Sequence, residues 1–72
     1  MRRGDLNEPL VSILIPMFNS ECYIAETLES CLAQTYKNIE IIVVDDESTD
    51  NSLAIAKNYE KDNHNMRVLS QP

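Results

Sequence analysis

A single glycine, no tryptophan and six basic residues against twelve acidic ones leave several functions without their usual equipment in this 72-residue chain. A dinucleotide-binding G-x-G-x-x-G turn needs three close glycines, and a P-loop needs a glycine-rich lead into a lysine; neither is present. With a net charge of −6 and no basic stripe, nothing neutralises a phosphate backbone, so nucleic acid is not an expected partner. No apolar run approaches the roughly 20 residues that cross a bilayer. The run Leu10 to Ile15 follows Arg2 and Arg3, but Asp5, Asn7 and Glu8 intervene and no small-residue cleavage site follows, so it reads as a strand and not a leader. Cysteine is scarce too. Cys22 and Cys31 fall nine apart in what reads as one helix, roughly 13 Å at about 1.5 Å per residue, too far to bridge. Free thiols of this kind suit a reducing cytoplasm, and any membrane association would come through other regions.

What is present is a regular alternation of apolar patterns. Met1 to Pro9 is a polar lead-in, and residues 10–72 form one small domain. Val11-Ser12-Ile13-Leu14-Ile15, closed by Pro16, has the look of a strand buried on both faces. Asn19 or Ser20 can cap a helix carrying Ile24, Leu28, Cys31 and Leu32 on one stripe, with Glu21 in its first turn. Tyr36-Lys37-Asn38 breaks that helix, and Ile39 to Val44 is a second buried strand ending in Asp45-Asp46-Glu47-Ser48. Ser48 or Thr49 can cap a second helix through about Lys61, built on Leu53, Ile55, Ala56 and Tyr59. A polar turn, in which His64 reads as merely solvated, leads to a weaker third strand, Met66 to Leu69.

The order βαβαβ predicts a parallel three-stranded sheet, 3-2-1, flanked by helices. Ligands of such sheets bind beyond the carboxyl ends of the strands, so the loops Pro16–Glu21 and Asp45–Ser48 must face one another. Phe18 can offer a stacking platform to a flat base or simply pack beneath the first helix. Asp45 and Asp46 point oppositely along a strand, so one can meet a base edge while the other holds turn amides; both could equally be turn residues. The Ser48-Thr49-Asp50 cluster could meet phosphate, though capping explains it better. With so little basic charge, a diphosphate would need a divalent cation, whose ligands are not evident.

At these residues the sequence resembles the inverting glycosyltransferase family 2, which has the type A glycosyltransferase fold. The likeness runs through P-x-[YF]-N (Pro16 to Asn19), S-x-L-x-Q-T-Y (Ser30 to Tyr36) and V-V-D-D-x-S-T-D (Val43 to Asp50), with the tail from Arg67 similar to the family's third strand. The resemblance implies that Phe18 stacks on the donor's uracil, that the Pro16 backbone meets the nucleoside and that Asp46 binds the base edge with Asp45 beside it. Asn19 and Glu21 match the loop after the aromatic. It implies a Rossmann-like fold and transfer from a nucleotide-diphosphate sugar, UDP-sugar above all, to an acceptor hydroxyl on a glycan or lipid-linked acceptor. It further implies Mg2+ or Mn2+ held by a later D-x-D motif, so this stretch alone, with neither that motif nor the catalytic base, is expected to be inactive. Glu47 stands where the family has glycine, which matters if that position needs a positive φ. A non-catalytic nucleotide-binding or scaffold module is the alternative. A phosphoacceptor receiver is a poorer match, because its paired acids follow the first strand. A bare edge on the first strand predicts self-association.

Overall fold

The computed structural model describes residues 9–34 and 38–71. The lead-in through Glu8, the helix-breaking Tyr36 and Lys37 with the motif residue Thr35, and Pro72 lie outside the described residues. The order is β1 (Val11–Met17), α1 (Ile24–Leu32), β2 (Ile39–Asp46), α2 (Ser52–Asp62) and β3 (Met66–Gln71). The strands form one parallel sheet in the order β1-β2-β3, the predicted arrangement. Two right-handed crossovers that step the same way across a sheet deposit their helices on the same face. The core accordingly joins Ile24, Leu28 and Ala56 of the helices to Met17, Ile41, Val43, Met66 and Val68 of the strands.

That one-sidedness corrects the sequence reading of strands buried on both faces. Burial alternates along β2, and Leu14 of β1 is 66% exposed. Leu14 and Leu69 lie on the row that no helix covers, where Ile42 and Val44 are half-buried.

Pro16 does not close β1 either; the strand continues through Met17. Val11 donates its amide to the Asn38 carbonyl at 2.9 Å. A parallel ladder alternates, so odd-numbered β1 amides face β2 and even-numbered positions face outward. Pro16 is even-numbered on an edge strand, and its missing N–H costs no ladder bond. The opposite edge is covered: the Met66 amide donates to the Asn63 carbonyl (3.1 Å) and the Val68 amide to Glu60 Oε2 (3.0 Å). Cys22, in the turn before α1, and Cys31 within it are both free thiols.

Candidate functional site

The two loops at the carboxyl ends of β1 and β2 lie side by side. Met17 pairs with Asp45 in the β1–β2 register, and both side chains are 1% exposed, turned into the helix layer. One step further along come Phe18, 60% exposed, and Asp46, also exposed. Within β2 the pleat turns Asp46 to the opposite side from Asp45, while Phe18 follows directly after β1, at the neighbouring strand tip. Pro16, one residue before Met17 in β1, is exposed on the side away from the helices. Asp45 and Asp46 divide as strand alternation requires. Asp45 Oδ2 accepts the Ser48 amide at 3.4 Å, while its buried Oδ1 has no partner.

Both loops leave their strands by the same device. The residue directly after Phe18, Asn19, has φ 46°, and the residue directly after Asp46, Glu47, has φ 59°. Asparagine tolerates the left-handed region, whereas glutamate there is strained by roughly 1–2 kcal/mol. Replacing Glu47 with glycine should relieve that strain, partly offset by the added freedom of the unfolded chain. The expected net gain is about 0.5–1 kcal/mol, read as a higher urea midpoint at unchanged slope. A lower midpoint would mean the glutamate side chain is favourably engaged.

Beyond these two turns the loops are stitched together. The Asn19 amide donates to Ser48 Oγ (2.9 Å), and Asn19 Oδ1 accepts the Thr49 amide (2.8 Å) and hydroxyl (3.3 Å). The Ser20 amide donates to the Ser52 hydroxyl, which itself donates to Asp50 Oδ1. The Glu21 amide donates to Asp50 Oδ2 (3.1 Å), and in return the Asn51 amide donates to Glu21 Oε1 (2.8 Å). Asp50 Oδ1 also accepts the Ser52 amide (2.9 Å).

These partners correct the predicted caps. Neither Asn19 nor Ser20 caps α1, which begins at Ile24 without a side-chain cap bond; Ser20 Oγ donates to the Phe18 carbonyl instead (3.0 Å). Neither Ser48 nor Thr49 caps α2, whose N-cap is Asn51. The Ser48 hydroxyl accepts from the other loop, and Asp50 and Glu21 supply the carboxylates at the start of α2. Glu21 thus lies before α1, not in its first turn. With two carboxylates on its leading amides, α2 has little to offer an anion.

Burial pushes the Asp50 carboxyl up, but hydrogen bonds from the Ser52 hydroxyl and amide and the Glu21 amide outweigh it and hold the group below its ordinary value. Its contribution to the folded state is therefore complete above the ordinary aspartate range and is lost as pH falls through the lowered value. Asp50, Thr49 and Ser52 are the site residues that sequence reasoning undervalued. The signal was the run Ser48 to Ser52 itself, which reads locally as helix capping.

A separate depression of about 340 Å3 is lined by Glu29, Asn58, Tyr59 and Asp62. It lies toward the carboxyl ends of the two helices, far from the strand tips. The Tyr59 hydroxyl donates to Glu29 Oε2 at 2.7 Å, and that bond, with burial, raises the phenol above its ordinary value. Its acidic lining disfavours phosphate. Among the described residues there is no group of three or more His, Cys, Asp or Glu placed to hold a metal ion, and no helix long and apolar enough to cross a membrane.

Open parallel α/β sheets as a class bind ligands beyond the carboxyl ends of their strands, and here the two loops at that end are joined side by side. Residues 12–72 match the family described as "Glycosyl transferase family 2", and the chain belongs to it. It is 42% identical over 67 residues to an "Uncharacterized glycosyltransferase" of Haemophilus influenzae, covering 93% of this chain and 27% of that protein. It is 47% identical over 62 residues to "Glycosyltransferase GlyG" of Streptococcus pneumoniae serotype 4, covering 86% and 21%. It is 48% identical over 63 residues to the "Uncharacterized glycosyltransferase EpsJ" of Bacillus subtilis, covering 88% and 18%. The chain thus spans about a quarter or less of the length of these curated relatives.

Proposed function

We propose that these residues form the nucleoside-binding part of an inverting glycosyltransferase that moves a sugar from a nucleotide-diphosphate donor, a UDP-sugar above all, to an acceptor hydroxyl on a glycan or lipid-linked acceptor. The observation that supports this most is the adjacency of Phe18 and Asp46, each exposed and each one residue beyond the paired Met17 and Asp45. One exposed ring and one exposed carboxylate stand at adjacent strand tips, a step beyond a buried pair. The ring offers a stacking face to a pyrimidine, and the carboxylate can accept an N–H from its edge. Pro16, lacking an N–H, lets a nucleoside approach the β1 backbone at its outward-facing position. Asn19, Glu21 and Asp45 complete the loop set, with Asp45 acting from beneath through the turn it holds.

Inverting transfer also needs a base carboxylate for the acceptor's proton and, in this family, a divalent cation such as Mg2+ or Mn2+ for the leaving diphosphate. The described residues do not fit a metal centre, since no three His, Cys, Asp or Glu side chains among them are grouped to hold an ion. The chain by itself is accordingly expected to bind uridine nucleotides weakly without turnover.

Titrating UDP into the isotope-labelled chain while following backbone amide shifts tests the reading. Shifts confined to Pro16–Glu21 and Asp45–Ser48 are the expected result. No shifts at millimolar UDP would favour a scaffold whose paired aspartates are only structural.

A further inference from the structure

We propose that Asn19, Glu21 and Asp50 are positioning residues whose cross-loop bonds hold the two strand-tip loops as one frame, presenting Phe18 and Asp46 as a pair. The inference rests on the reading of those two as the nucleoside contacts.

Neither presented group is held by its own surroundings. Phe18 lies outside the core cluster, and within the described residues the Asp46 carboxylate accepts no hydrogen bond. Each is followed at once by a left-handed residue, so the chain turns away immediately after the group it presents. The turned-away segments are then joined by six bonds between residues 29 to 32 apart in sequence. The acceptors are spent reciprocally. Asp50 takes the amide that leads into α1, and Glu21 takes the amide that leads into α2. Five of these bonds are exposed and one is part-buried, so separating the loops exchanges six bonds for contacts with water, and the frame holds through their number and reciprocity. Two ligand contacts on different loops bind well only if their spacing is set beforehand; otherwise binding must also order the loops.

The test compares wild type with Asp50→Asn, Glu21→Ala, Glu21→Gln and Phe18→Ala, reading UDP affinity and amide hydrogen exchange, with far-UV circular dichroism to establish folding. Asp50→Asn keeps an oxygen for Ser52 but can turn an NH2 group toward the Glu21 amide. Glu21→Ala removes the Asn51 acceptor, and Glu21→Gln keeps one. The expected result is UDP affinity about five- to tenfold weaker in Asp50→Asn and Glu21→Ala, with faster exchange at Asn19, Glu21 and Thr49. Glu21→Gln should return close to wild type. Should Asp50→Asn fail to fold, the two Glu21 variants decide alone. Wild-type affinity and exchange in both weakened variants would overturn the clasp while leaving the nucleoside site standing. Glu21→Gln binding as poorly as Glu21→Ala would overturn it too, because a charge contact with the ligand would then be at work. A wild-type chain that is silent toward millimolar UDP, like Phe18→Ala, would sink the nucleoside reading itself.

Discussion

Phe18→Ala should weaken UDP binding by roughly 5- to 150-fold, the range that corresponds to losing about 1–3 kcal/mol of base stacking. The same substitution should leave folding stability within about 0.5 kcal/mol of wild type, because the ring is 60% exposed and outside the core. The combination discriminates between roles. A ring that served mainly to pack beneath α1 would show the opposite pattern, a drop in the urea midpoint with little change in the affinity of what remains folded. Phe18→Tyr keeps the stacking face and should retain most of the binding. Calorimetric or shift titration beside urea denaturation of the three proteins measures both halves, and a stability loss above about 1 kcal/mol in Phe18→Ala would contradict the assignment.

Leu28→Ala carries the largest expected effect on stability. Leu28 is fully buried where α1 meets the sheet, and such truncations cost about 2–5 kcal/mol through lost transfer energy and an unfilled cavity. Domains have about 0.05–0.15 kcal/mol of stability per residue, so a chain of 72 residues has on the order of 4–11 kcal/mol in all. With only one face of its sheet covered, this one belongs near the lower end. Leu28→Ala should therefore leave a large unfolded population at 37 °C, seen as lost helical ellipticity before any urea is added. Leu14→Ala is the control. The same atoms are removed from a side chain that is 66% exposed, and the loss should stay within about 0.5 kcal/mol. Equal losses at the two positions would mean that the uncovered side of the sheet is buried in solution.

The element order, the strand sequence in the sheet and the opposed directions of Asp45 and Asp46 were legible because each follows from local periodicity or from the pleat. Ile24 and Leu28 could be assigned to the core from their spacing alone. What could not be read locally was which acceptor each loop donor would choose. Asn19, Ser20, Ser48 and Thr49 all look like helix caps from their own neighbourhood, but the side chains of Asn19, Ser48 and Thr49 find partners about thirty residues away on the other loop, and the Ser20 hydroxyl turns back to the Phe18 carbonyl. Non-local geometry overrode a correct local propensity. Pro16 is a similar case: its effect on a strand depends on whether its nitrogen faces a neighbour, which is settled only once β1 is known to be an edge. The Glu47 turn was foreseen as a conditional, and its φ of 59° met the condition.

The uncovered row of Leu14, Ile42, Val44 and Leu69 also bears on how the chain behaves as a solute. An oily flank this broad would invite copies to adhere, and the counterweight is the net charge of −6 spread over the molecule. Acidification discharges that counterweight while leaving the flank unchanged, and concentrated salt screens it. Turbidity in mildly acidic or high-salt buffer is then a colloidal property of a sheet dressed on one side, to be separated from unfolding by whether the precipitate redissolves intact on return to neutral, dilute buffer.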